Sequence, residues 1–380
     1  MGPFVRKYSQ PFSSPFGYIR MSSPTSLRFS YLKRTLQFRF EAGTSRGVLR
    51  TRDVFWIKVY RQGDLDQVGW GEAAPLAGLS PDFGPDFETQ LAGILQEASA
   101  RTWDLEEESV LQQVKNLVPF SLPSLRFGLE TALLDLANGG RKRILANSFF
   151  DQGTPIPING LIWMGTKEFM LQQINQKLGE GFACLKMKIG AIDFDQELEL
   201  LRYIREQEVA KNLVLRVDAN GAFSPLEALG KLELLQDFGI HSIEQPIGIG
   251  QWEAMRELAL KSPIPIALDE ELIGKSNKEE VLDFIKPQFI ILKPSLVGGI
   301  LETREWIRLA EAMGIGWWMT SALESAIGLN AISQLTSAYL PSLPQGLGTG
   351  KLYDNNLESP LVVQSGEIRY EQSGTWETPS

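Results

Sequence analysis

Between Lys186 and Lys293 five short apolar runs each end on ionisable residues: LKMKIG at 185–190, LVLRVDAN at 213–220, HSIEQP at 241–246, PIALDEE at 265–271 and FIILKPS at 289–295. Their polar ends are Lys186 and Lys188, Asp218, Glu244, Asp269 and Lys293, and from Lys188 onward they stand 24 to 30 residues apart. A strand of about four to six residues plus a helix of about ten to fifteen fills that interval, so the repeat predicts successive βα units in a parallel sheet. The intervening segments carry helix grammar. After Asp218, Ser224 is an N-cap, Pro225 the first helical residue and Glu227 the partner in a capping box, and Ser276 with Glu279 repeats the pattern after Asp269.

A (β/α)8 barrel brings the C-terminal ends of its strands to one mouth, which would aim Asp218, Glu244 and Asp269 at a common centre. One carboxylate in such a place is often a solvated helix cap. Three like charges at one point need protons or a cation. An all-oxygen set without thiolate or imidazole suits a hard ion, Mg2+ ahead of Mn2+ and well ahead of Zn2+.

Period-2 alternation puts Lys186 and Lys188 on one face of their strand, and Lys293 ends a strand across the barrel. A lone interior lysine can be a snorkelling stem with its ammonium at the mouth. Three around an acidic centre are an arrangement for taking a proton from carbon next to a carboxylate. A lysine beside a cation in a dry pocket has its pKa lowered, to about 7–8 in tuned cases. Arg216 and Asn220, in phase with Asp218, and Glu270, beside Asp269, are placed to hold the carboxylates in position.

KxK, DAN, EQP, DE and LKPS, in this order, resemble the enolase superfamily. Further strings narrow the resemblance to its muconate-lactonizing-like branch: GWGEAAPLAGLS at 69–80, RFGLETALLDLA at 126–137, PINGLIWMG at 157–165, IALDEELIG at 266–274, TSALESAIGLNAI at 320–332 and QGLGTGKLY at 345–353. Together they cover most of the chain from about residue 27. The resemblance implies an α/β fold, a modified (β/α)8 TIM-type barrel with an N-terminal α+β capping domain. It implies Mg2+, with Mn2+ as a substitute, on Asp218, Glu244 and Asp269, and a small-molecule carboxylate as substrate. Lys188 is then the base, Lys186 tunes it and holds a carboxylate oxygen, and Lys293 stabilises the enolate from the opposite face. Ser321, which by itself reads equally as a helix N-cap, would contact the substrate's distal succinyl carboxylate.

The implied reaction is syn loss of water from 2-succinyl-6-hydroxy-2,4-cyclohexadiene-1-carboxylate, a step toward menaquinone or phylloquinone. Isomerases that racemise N-succinyl amino acids or epimerise dipeptides need the same ion and lysines, and sequence does not separate the two. A barrel retained only for binding would have lost a carboxylate or the KxK pair, and all are present.

The net charge of −9 and pI near 5.0 argue against nucleic acid or an anionic membrane as partner. The chain is expected to be a monomer or homo-oligomer. Its one cysteine, Cys184, excludes an internal disulfide framework, reads as core filler and fits a reducing, cytoplasmic setting. Its one histidine, His241, would have to serve any Ser-His-Asp, Cys-His or His-rich zinc site. Out of phase with Glu244, it is expected to face the helix layer.

The first forty residues have no Asp or Glu and several Arg and Lys, as in transit peptides, but Pro3, Pro11, Pro15 and Pro24 forbid an amphipathic helix there. Residues 1–26 read as a flexible extension, with Met21 an alternative start. The capping domain is expected over 27–150, the barrel over 151–354, and a tail over 355–380 that returns to the capping domain as one more strand. Segments 42–53 and 76–87 read as loops that close over the mouth.

Overall fold

The computed structural model describes residues 24–44, 47–207, 209 and 211–380. The expected extension over 1–26 lies outside these apart from its last three residues. Among the described residues no helix is long and apolar enough to cross a membrane.

The capping domain is a four-stranded antiparallel sheet in the order Val68–Ala73, Gly47–Arg61, Thr25–Thr44, Thr102–Trp103. Helices Phe87–Ser99, Glu107–Leu117 and Pro123–Ala137 complete it. The last packs along the Val68–Ala73 strand and has a buried residue at nearly every position. The segment 42–53, expected as a loop, is instead mostly the far end of a long hairpin. Ala42 pairs with Leu49 and Gly43 with Val48, beyond an irregularity after Gln37. Gly43 also bridges Met164, which anchors the hairpin tip beside the first barrel strand.

The barrel has seven regular parallel strands in sequence order: Gly160–Ile162, Cys184–Lys188, Val214–Asp218, Ser242–Glu244, Ile266–Leu268, Phe289–Leu292 and Gly316–Met319. An eighth strand, reduced to residues 345–346, closes it. Gln345 N donates to Pro157 O at 2.8 Å and Asn159 N to Gln345 O at 2.9 Å. On the other side Gly346 N donates to Met319 O at 2.8 Å and Ser321 N to Gly346 O at 3.0 Å. The helix after Asp218, Pro225–Gln236, has the expected capping box of Ser224 and Glu227. The helix after Asp269 starts at Lys278 with Asn277 at its N-cap, one residue later than Ser276 would have set.

The stretch 155–162 divides at Ile158. Ile156–Pro157 joins a separate three-stranded sheet with Leu361–Gln364 and Glu367–Tyr370, and only Gly160–Ile162 enters the barrel. The tail therefore pairs at the barrel entrance and not with the capping sheet. The chain meets the capping sheet just before this, where Arg39 N donates to Leu352 O and Asp354 N to Gln37 O, each at 2.9 Å, and Asn355 bonds Gln37 N and Thr35 O. Further contact with the capping domain comes from Phe149 and Phe150 against Tyr370, and Lys142 over the Trp376 ring.

Polar clamps join capping domain to barrel, among them the following two. The buried Glu72 carboxylate accepts from Ser325 N at 2.8 Å and Gly328 N at 2.9 Å, capping helix Ala326–Ser337. The Arg52 guanidinium donates to the carbonyls of Ala74 and Ala322.

Candidate active site

Strand register assembles the site. Lys188 pairs with Asp218 and Asp218 with Glu244, so lysine, carboxylate and carboxylate share one rung, and Asp269 and Lys293 enter from the next strand ends. All six charged residues, Lys186 included, are at most 9% exposed. Lys186 Nζ lies 3.1 Å from Asp218 Oδ2 and 2.9 Å from Glu244 Oε2, and Lys188 Nζ lies 3.1 Å from Asp218 Oδ2. Lys293 is paired with Asp269.

Two residues that follow the carboxylates adopt left-handed backbone without being glycine, Asn220 at φ 45° and Gln245 at φ 40°. Their side chains hold the turns in place. Asn220 accepts from Lys188 Nζ at 2.6 Å and donates to Glu270 Oε1 at 2.9 Å, while its backbone N–H reaches Asp218 Oδ1 at 3.1 Å. Gln245 Oε1 accepts from the backbone N–H groups of Asp269 and Glu271, each at 3.2 Å. Asn220 thus links Lys188 by hydrogen bonds to Glu270, beside the strand end of Asp269.

Arg216 is different. It points inward one layer lower, stacks on Trp318 at 3.9 Å and donates to Pro344 O at 2.8 Å, with no hydrogen bond to Asp218. His241 also faces this floor, with its ring 5.0 Å from Phe289 and 6.2 Å from Trp318, instead of the helix layer. It points away from the mouth, and Cys184 is buried two residues below Lys186.

Burial alone would lower the pKa of Lys186 and of Lys293, but Asp218, Glu244 and Asp269 hold Lys186 well above the ordinary lysine range, and Asp269 foremost raises Lys293. Burial likewise opposes ionisation of Asp218, yet the ammoniums of Lys186, Lys188 and Lys293 push its pKa below the usual range. Burial pushes Asp269 well above that range against the opposing Lys293 ammonium, and Glu270 and Glu244 push it the same way as burial.

Among the described residues no three acidic, imidazole or thiol groups form a ready-made metal cluster, since the Lys186 ammonium stands between Asp218 and Glu244. The donor set nonetheless fits a hard dication. It consists of three buried carboxylates on successive strand ends, and the like-charge crowding that raises Asp269 is what such an ion relieves.

These groups open into a cavity of about 720 Å³, roofed by Phe40, Leu76 and Leu79 of the capping domain and walled by Trp163 and Phe169. Segment 76–87 therefore reaches the mouth as expected, whereas among the described residues segment 42–53 contributes nothing to the cavity lining beyond the neighbouring Phe40. Ser321 lines the distal end, and its hydrogen-bonding capacity is full. It donates to Glu324 Oε2 at 2.7 Å and accepts from Leu323 N at 2.9 Å and Thr349 Oγ1 at 2.8 Å. Glu324 also accepts from Ser295, tying two strand ends together. Sequence reasoning passed over Gln245 and Glu324, although each is a polar residue inside a string that carried the resemblance.

Residues 170–374 match the family model described as enolase C-terminal domain-like. The solved structure of MenC from Desulfotalea psychrophila superposes with a TM-score of 0.80 at 42% identity, covering 91% of this chain and all of that one. The fold and its ring of lysines and carboxylates define an enolase-superfamily enzyme. The o-succinylbenzoate synthase of Desulfotalea psychrophila is 46% identical over 90% of this chain and 98% of that protein. The N-succinylamino acid racemase of an Amycolatopsis species is 27% identical over 79% and 81%. The chain belongs to the enolase superfamily and, within it, to the o-succinylbenzoate synthase family.

Proposed function

We propose that this hydro-lyase removes water from 2-succinyl-6-hydroxy-2,4-cyclohexadiene-1-carboxylate to give 2-succinylbenzoate, in the cytoplasm, on a route to menaquinone or phylloquinone. One observation carries the mechanism: Lys188 and Lys293 approach the same buried carboxylate centre from different walls of the barrel. Asp218, Glu244 and Asp269 would hold Mg2+, or Mn2+ in its place, and the bound ion supplies positive charge that acidifies the carbon next to the substrate carboxylate.

Lys188 takes the proton from that carbon. The C–O bond at the neighbouring ring carbon then breaks on the same face, and Lys188 returns its proton to the departing hydroxide, which leaves as water while the ring becomes aromatic. Lys186, charged throughout, keeps Lys188 company on one face and holds a carboxylate oxygen. Lys293 balances the negative charge that develops opposite. Asn220 fixes the Lys188 ammonium through its 2.6 Å hydrogen bond, and the apolar roof of Phe40, Leu76 and Leu79 keeps water from the carbanion.

The test follows the diene absorbance of the substrate with Mg2+, alongside racemisation of an N-succinyl amino acid. Collapse of the diene signal that needs both metal and intact Lys188 supports the reading. A persistent diene with fast racemisation would favour the isomerase reading, for which the similarity to the Amycolatopsis racemase is the specific support.

A further inference from the structure

The distal end of the cavity contains two polar side chains that the mechanism leaves unused. Asn159 and Thr320 are 4% and 8% exposed, both line the cavity, and neither Asn159 Oδ1 nor Thr320 Oγ1 has a hydrogen-bond partner among the described residues. Strand register puts them together. Ile158 bridges Gln345, Thr320 bridges Gly346, and Leu292 pairs with Met319, so Lys293, Thr320, Gly346 and Asn159 lie on one inward-facing rung of the barrel. Gly346 separates the two polar residues. A Cβ there would overlap the Thr320 side chain, so glycine is what allows Thr320 to lean across toward Asn159. Adjacent strands lie about 4.8 Å apart, so Asn159 and Thr320, one strand on either side of Gly346, face each other across roughly twice that distance, and the missing side chain leaves a ligand group room between them.

We propose that Asn159 and Thr320, across Gly346, bind the keto oxygen of the succinyl chain and so select substrates with a carbonyl next to the ring. The inference rests on the substrate proposed above. The Thr320 hydroxyl is a donor, whereas Asn159 Oδ1 can only accept; among the described residues no hydrogen bond fixes the Asn159 amide, so a turn about its last torsion presents Nδ2 as the second donor. A buried donor left without a partner is costly until a ligand satisfies it. Both groups are neutral, and Lys293, the cation on this rung, is already paired with Asp269. A carboxylate set between them would be desolvated without a counter-ion, whereas a carbonyl oxygen offers one lone pair to each donor. The neighbouring Ser321 hydroxyl has no proton to give, because Glu324 holds it. The substrate's one neutral carbonyl is the succinyl ketone.

The test is calorimetric binding, with Mg2+ present, of 2-succinylbenzoate and of 2-(3-carboxypropyl)benzoate, in which a methylene replaces the ketone. Wild type is expected to prefer the keto ligand at least tenfold. Thr320→Val and Asn159→Leu should each reduce that preference severalfold and leave the methylene ligand's affinity within twofold. Thr320→Ser, which keeps the hydroxyl, should retain the preference. Equal wild-type affinity for the two ligands, or a variant that weakens both alike, overturns the assignment while the proposed function stands. Wild type that binds neither ligand overturns both.

Discussion

Gly299 lies against the carboxylate of Glu130 so closely that a Cβ on Gly299 would overlap the Glu130 oxygens. Glu130 belongs to capping helix Pro123–Ala137, and its carboxylate accepts from Ile300 N at the start of barrel helix Gly299–Ala312. A second carboxylate of the capping domain thus docks on a barrel helix N-terminus, as Glu72 does on helix Ala326–Ser337.

Gly299→Ala should therefore destabilise the protein by about 1–3 kcal/mol, through the overlap and through the backbone φ of 96° at that position. Chemical denaturation of wild type and variant measures this. An unchanged midpoint would mean that the Glu130 carboxylate moves aside at no cost.

Burial pushes the Glu130 pKa up to about 8 against the opposing hydrogen bonds from Ile300 and Leu301. Between its unfolded value of about 4.3 and about 8, the folded state holds a proton that the unfolded chain releases. This contribution to stability is complete below the lower value and is lost as pH rises through the upper one. Relative to Glu130→Gln, wild type should lose stability from pH 5 to pH 9, with a slope of at most about 1.4 kcal/mol per pH unit. Parallel denaturation curves for the two proteins over that range would contradict it.

Lys188→Ala should lower kcat for dehydration by about 10²–10⁴-fold, the usual worth of a positioned general acid–base, and change the affinity for 2-succinylbenzoate much less. Steady-state kinetics beside product binding separates the two effects. A variant with near-normal kcat would move the base to another residue.

Mg2+ at about a hundredfold excess over its dissociation constant should stabilise the folded chain by about 2.7 kcal/mol, seen as a rise in Tm. Asp218→Asn, which removes one of the three carboxylates, should abolish most of that rise. A variant that responds to Mg2+ like wild type would place the ion elsewhere.

The barrel was legible because each βα unit carries its own local signals: an apolar run, a polar strand end, and a cap such as Ser224 with Glu227. The lysine–carboxylate centre was legible for the same reason, since strand alternation alone places Lys186 and Lys188 together. Features set by long-range pairing were not. Gly43 and Gly47 read as loop glycines, yet the cross-strand pairs Ala42–Leu49 and Gly43–Val48 hold that segment in a sheet. His241 was assigned by phase from Glu244, but the strand spans only Ser242–Glu244 and its alternation does not extend to residue 241. Arg216 was in phase with Asp218, and periodicity could not show that its layer ends against Trp318. The tail's strand was anticipated, but its partner, Ile156–Pro157, is some 210 residues away in sequence and nothing local marks it.

The Glu72 clamp has a consequence for the order in which the protein can be completed. Its partners, Ser325 and Gly328, lie 253 and 256 residues later in the chain. During synthesis the capping sheet emerges first, with a carboxylate that has no helix to receive it. Burial drives the pKa of this group up, so water is the better place for it until residue 328 has left the ribosome. The capping domain can collapse early around its apolar core, but this seam with the barrel can close only after nearly the whole catalytic half has been made.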